Sequence, residues 1–439
     1  MPSIPNMATT PAADGPRRTY GAALSVLASL FFIWGFITVI NNTLLPHLKA
    51  VFDLNYLEAT LIDFVWFIAY FFASIPSAKL IERIGYRKSM VVGLTIMAVG
   101  ALLMIPAARI PSYGVVLTAL FIVASGITLL QVAANPYVAV IGPPETASSR
   151  LNLVQAFNSM GTWLAPLFGG YLILGRSASG THVGGAAHLT TAERLADAQT
   201  VQLPYLIIAA VLVVLAVVIA RFRLPALGAA TQRAAASERH SHSLWRHRNL
   251  DFGVPAIFIY LIAEIGVSNL FINFISSPHI GNMTTERASN YLFLLWGGMM
   301  VGRFVGSGLM RRIAAETVLA WFAVAAFAVM MVTVFGSGHV AMWALILVGL
   351  CHSIMFPTIF TLGIRGLGPL TEEASGLLIM AIAGGALVIV QGWLADTVGL
   401  QNSFLLTAAC ELYVLFYALW GAKPTNAEPA EAVVPAGAA

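Results

Sequence analysis

Charge is nearly absent from twelve stretches of this chain, and no other feature narrows the possible folds as far. A bilayer core takes about 20 helical residues to cross. The apolar runs lie at 21–49, 57–80, 89–107, 113–141, 150–175, 201–221, 251–277, 288–310, 317–335, 339–365, 373–398 and 401–421. Only 10% of the 439 residues are charged and 59% are hydrophobic, whereas a soluble domain carries about a quarter charged. Because lipid offers the backbone no hydrogen bonds, each run must satisfy its own as a helix. The sequence therefore predicts an all-α membrane protein of twelve transmembrane helices.

The basic residues orient it. With the first residues inside, eighteen of the 23 Lys and Arg fall on the cytoplasmic side and five (Lys49, Arg109, Arg176, Arg194, Arg287) outside. That bias places both termini in the cytoplasm. The same bias accounts for a basic pI and gives no reason to expect nucleic acid. Residues 1–20 lack a cleavable signal pattern and, like 422–439, read as a disordered tail. Cys351 and Cys410 sit in apolar runs, so no disulfide is expected.

Residues 223–250 are a polar, basic break. They divide a six-helix bundle at 21–222 from a second at 251–421. His240, His242 and His247 in and near it have no Cys or carboxylate cluster beside them and read as solvated linker, so no metal site is expected. The halves echo one another. Asn41 precedes Pro46-His47 by the spacing that separates Asn273 from Pro278-His279, and Glu145-Thr-Ala-Ser-Ser-Arg-Leu matches Glu373-Ala-Ser-Gly-Leu. Two repeats running in the same direction through the membrane are the relation expected of a transporter built from two bundles.

Polar side chains inside the spans mark a wet interior, because unpaired polar groups in hydrocarbon are costly. Trp34, Asn41 and Asn42 lie on the first helix. Gln131 and Asn135 lie four apart on one face of the fourth, ahead of Pro136. Asn152, Gln155 and Asn158 form a stripe on the fifth, of which Asn152 reads as an interhelical hydrogen bond. Glu264, Ser268, Asn269 and Asn273 lie on the seventh helix, and Gln391 on the eleventh. Amides both donate and accept without imposing charge, so this set suits a neutral polyol. Gly298, Gly302 and Gly306 give the eighth helix a close-packing face.

Intramembrane acids invite functional readings. Asp63, at the depth of Asn42, is the first candidate for binding a coupling cation, and Glu264 is the second as well as a candidate sugar ligand. Glu411 reads as structural or protonated, and Arg303 and His352 as interhelical contacts. Asp63→Asn is expected to abolish uphill accumulation and spare exchange.

The turn Ala78-Lys-Leu-Ile-Glu82-Arg83-Ile-Gly85-Tyr-Arg87-Lys88 is similar to the loop 2–3 signature of the major facilitator superfamily, with Ala78 for Gly and Glu82 for Asp. More of the chain resembles that superfamily's fucose–galactose–glucose:cation symporter family, in its glucose/galactose transporter branch. The likeness rests on FFIWGFIT at 31–38, LLPHLKAVFDLNY at 44–56, LLQVAANPYV at 129–138 and RLNLVQAFNSMG at 150–161. GRFVGS at 302–307, SIMFPTIF at 353–360 and QGWLAD at 391–396 extend it. The resemblance implies uptake of a hexose with a proton or sodium ion across a bacterial inner membrane, by rocking two bundles about a central site, in a monomer with no cofactor. It implies that Trp34, Asn41, Gln155 and Asn158 line the sugar site, and that Glu82, Arg83 and Arg87 gate the cytoplasmic side. Arg303, in the mirrored helix, is counted with them. It also implies a departure. Fucose:proton symporters carry an Asp where this chain has Asn42 and a Glu where it has Gln131, so their coupling acids do not carry over. A sugar uniporter, or a sugar sensor of the same fold, is the alternative. No zinc-protease, serine-hydrolase or nucleotide-binding motif supports an enzyme or an ATP-driven pump.

Overall fold

In the computed structural model, residues 17–52, 56–109, 112–169, 202–222 and 244–424 are described. The side chains of Asn41, Asn42 and Asp63 fall outside the described set, as do the outer loop at 176–200 and most of the linker.

Among the described residues, twelve long helices follow the hydropathy runs. In the first half they are α1 (Arg17–Phe52), α2 (Tyr56–Ile84), α3 (Tyr86–Arg109), α4 (Tyr113–Val140), α5 (Ala147–Gly169) and α6 (Gln202–Arg221). In the second they are α7 (Arg248–Ser276), α8 (Thr285–Leu309), α9 (Ala315–Phe335), α10 (Gly338–Gly363), α11 (Thr371–Val398) and α12 (Leu400–Gly421). Eleven are apolar and long enough to cross a membrane. The exception is α5, whose Ser148, Ser149, Arg150, Asn152, Gln155 and Ser159 would be costly against lipid and are instead held among other helices.

The duplication is visible in the packing. In the first half α1 packs on α5, α2 on α4, and α3 on both α4 and α6; in the second α7 packs on α11, α8 on α10, and α9 on both α10 and α12. Each pair recurs six helices later. Glycines permit the closest crossings. A Cβ on Gly161 of α5 would strike the carbonyl oxygen of Phe32 on α1, and one on Gly384 of α11 would strike that of Phe258 on α7. Gly298, Gly302 and Gly306 bring α8 against α10, as their spacing predicts.

α10 and α11 are among the helices that depart from the continuous runs read in the sequence. In α10 the α-helix stops at His352 and resumes at Met355. Pro357 has no N–H for the carbonyl of Ser353, and Arg303 Nε donates to that oxygen instead, at 2.9 Å. In α11, residues Ala381–Leu387 tighten to a 3₁₀ helix, where Gly384 and Gly385 lie against Phe258 of α7 and Phe67 of α2. The Asn-Pro-His echo also lands on unlike backbone. α1 continues through Pro46 to Phe52, whereas α7 ends at Ser276 with Ser277 extended ahead of Pro278, as the residue before proline prefers.

The halves meet most closely at the end that carries the basic α2–α3 turn. There Gly85, at φ 80°, allows the chain to reverse between α2 and α3. The Tyr86 hydroxyl donates to Glu372 Oε1 at 3.1 Å, Ser148 and Thr361 share a 2.6 Å hydrogen bond, and Ser149 Oγ donates to the Ser307 carbonyl at 2.8 Å. Asn152 Nδ2 donates to Thr358 Oγ1 at 3.1 Å, the interhelical role its position suggested.

Candidate functional site

Four side chains from three helices of the first half converge in its interior. The four-residue spacing of Gln131 and Asn135 puts both on the inner face of α4. Gln131 Nε2 donates to the Tyr70 hydroxyl on α2 at 2.7 Å. Gln155 on α5 donates to Asn135 Oδ1 at 3.3 Å. All are at least nine-tenths buried, and the Nδ2 of Asn135 has no hydrogen-bond partner among the described residues. A buried amide donor without a partner costs about 1–3 kcal/mol, so the cluster is built to be completed by an acceptor. On α1, Trp34 is buried with its ring 5.1 Å from that of Phe31. Asn158 spends its amide N–H on the Phe31 carbonyl at 2.9 Å, which ties α5 to α1.

The second half presents charge instead. Arg303 of α8 is buried and bridges the two bundles. Nε holds the Ser353 carbonyl, and Nη1 donates to the Gln155 carbonyl at 3.0 Å and to Ser159 Oγ. Glu264 of α7, half-buried, lies within electrostatic reach of both Arg303 and the Tyr260 hydroxyl. Arg303 is thus both an interhelical contact and one of the bonds between bundles, and Gln155 belongs to the amide cluster and to this bridge.

The other predicted residues are dispersed. Asn269 and Asn273 are exposed on one face of α7. Gln391 is fully buried against Gly266 of α7, and neither its Nε2 nor its Oε1 has a partner among the described residues. Glu82, Arg83 and Arg87 are exposed, and the contact from this turn to the opposite half is made by Tyr86. Asn41, Asn42 and Asp63 lie outside the described side chains. Sequence reasoning missed Tyr70, Ser159, Tyr260 and Tyr86, single hydroxyls in apolar or loop settings with no pattern to mark them. It also missed Arg150, which caps the last turn of α4 by donating to the carbonyls of Val138 and Ala139.

A family model described as Major Facilitator Superfamily matches residues 26–389. The chain is 44% identical to a glucose/galactose transporter of Brucella abortus, over 96% of this chain and 99% of that one. The chain belongs to the major facilitator superfamily. Within it, the match is to the fucose–galactose–glucose symporter family: an L-fucose-proton symporter of Escherichia coli is 35% identical over 92% of this chain and 94% of that one. A crystal structure of a facilitator-superfamily transporter in the outward conformation superposes with a TM-score of 0.80 at 33% identity, covering 92% of this chain and all of the other. The chain is a multi-pass membrane transporter and not an enzyme.

Proposed function

We propose that this protein is a monomeric symporter of the bacterial inner membrane, with both termini cytoplasmic, that imports a neutral hexose of the glucose/galactose type with a proton or sodium ion. The observation that carries it is the Gln131–Asn135–Gln155 cluster: buried, uncharged and left with an unpartnered amide donor. Such a site completes itself with a sugar hydroxyl, which accepts and donates in turn. Trp34 and Asn158 extend the site along α1 and α5, with Asn41 and Asn42 as its further candidates on α1. Glu264, Asn269 and Asn273 are the second half's contribution, reached as the bundles close. A carboxylate such as Glu264 accepts hydrogen bonds from two hydroxyls at once, and Glu264 and Asp63 are the candidates for the coupling ion. The names of the relatives support both the sugar class and the coupling.

In this reading the end sealed by Tyr86–Glu372 and Ser148–Thr361 faces the cytoplasm, and the form described here is closed to it. Arg303, together with the turn bearing Glu82, Arg83 and Arg87, acts as the gate. Coupling requires that ion occupancy change the affinity for sugar or the balance of conformations. Radiolabelled glucose uptake into proteoliposomes, with proton and sodium gradients imposed separately, tests it. One gradient is expected to drive accumulation above equilibrium; equilibration alone under both would reduce the protein to a uniporter.

A further inference from the structure

Behind Glu264 the second half buries two more titratable groups. His352 of α10 and Glu411 of α12 are 2% and 0% exposed, and His352 Nε2 lies 2.7 Å from Glu411 Oε1. The other carboxylate oxygen, Oε2, has no hydrogen-bond partner among the described residues, and neither has Thr407 Oγ1 one turn earlier on α12. The Tyr260 hydroxyl donates to the His352 carbonyl at 3.0 Å and is within electrostatic reach of Glu264 and Glu411. Arg303, Glu264 and Tyr260 thus link the α5–α8 contact to this pair electrostatically, and Tyr260 does so also through the His352 backbone.

By formal charge, one guanidinium (Arg303) accompanies two carboxyl groups (Glu264 and Glu411), so the set carries one net negative charge when both carboxyls are ionised and His352 is neutral. The remaining titratable groups facing the pair are Cys351 and Cys410, on the same two helices and close enough to feel Glu411. The neighbouring α9 has a single charged residue, Glu316, taken up by Arg365 at 3.4 Å. A net charge in a core sealed from water and lipid is costly, and one added proton removes it.

We propose that the His352–Glu411 pair is a proton-binding site and holds the proton that drives sugar uptake, with Glu264 as its mouth. Loading converts neutral imidazole plus carboxylate, net −1, to a pair sharing one further proton, net zero. Unloading returns that proton to water by way of Glu264 when the bundles part. This inference rests on the symporter reading above and assigns its ion.

The test uses full-length protein in proteoliposomes and scores glucose exchange and proton-driven accumulation separately. Glu411→Gln removes the uncompensated charge, so exchange is expected within threefold of wild type while accumulation falls to equilibrium. His352→Gln leaves the proton to Glu411 alone, so accumulation persists with its pH midpoint moved by a unit or more. Accumulation by Glu411→Gln would overturn the assignment. So would parallel loss of exchange and accumulation in a variant that still binds glucose, since that is the behaviour of a structural pair. Should Glu411→Gln fail to fold, an unshifted pH profile in His352→Gln overturns it. Absence of exchange in wild type would overturn the sugar reading itself, and this inference with it.

Discussion

The two bundles share one packing scheme and differ in what they place at its centre. Each helix pair of the first half recurs in the second, down to a glycine pressed against a phenylalanine carbonyl. Yet the first half centres on Tyr70, Gln131, Asn135 and Gln155, and the second on Glu264, Arg303, His352 and Glu411. Packing constrains backbone approach, so glycine positions survive duplication. Interior polar side chains are constrained only by having partners, so they can diverge. In our proposal the neutral half holds most of the sugar site and the charged half handles the ion.

The hardest blow to this contrast is Arg303→Met. It strands Glu264 without its cation and removes donors from the Ser353 and Gln155 carbonyls. Leaving a buried carbonyl without its donor costs about 1–3 kcal/mol, and two are affected, so glucose exchange is expected to fall by roughly two orders of magnitude or more. Arg303→Lys should not restore it, because one ammonium cannot reproduce the guanidinium's divergent donors. Near-normal exchange in Arg303→Met would show that the charged centre is dispensable, and in Arg303→Lys that its divergent donors are.

The shared scaffold is tested next. Gly161→Ala and Gly384→Ala each force a Cβ into a carbonyl oxygen, and overpacking costs about 1–3 kcal/mol. Thermal melts of the detergent-purified variants should drop by similar amounts. A large drop at one site alone would break the equivalence of the α1–α5 and α7–α11 crossings.

A smaller effect is expected where the halves touch at the basic turn. Tyr86→Phe removes the hydrogen bond to Glu372, worth about 1 kcal/mol. Spin labels on Lys88 and Arg311 should then report a population with longer separation, enriched roughly fivefold. An unchanged distance distribution would move the seal to the Ser148–Thr361 and Ser149–Ser307 contacts.

Much of this fold is legible in the sequence, because hydropathy alone sets twelve helices and repeated motifs set two halves. The break in α10 is not legible: Pro357 signals a missing hydrogen bond, but only the fold supplies Arg303 to replace it. Of the site, the stripe on α4 can be read from its spacing, and Gln155 with it. Tyr70 cannot, as a lone tyrosine in an apolar run has no pattern. Gln391 shows the reverse failure, since a glutamine in a span suggests a cavity, yet it lies sealed against Gly266. The His352–Glu411 pair is 59 residues apart in sequence, and each alone reads as an isolated polar group until α10 and α12 bring them together.

The central claim is that an uncharged amide cluster in the first half binds a neutral hexose. Calorimetric titration of D-glucose into the purified protein and its Asn135→Ala variant tests it most directly. We predict saturable binding by wild type, weakened about tenfold in the variant, the loss of about one hydrogen bond. Equal affinity in the two proteins, or no binding by wild type at millimolar hexose, would contradict it.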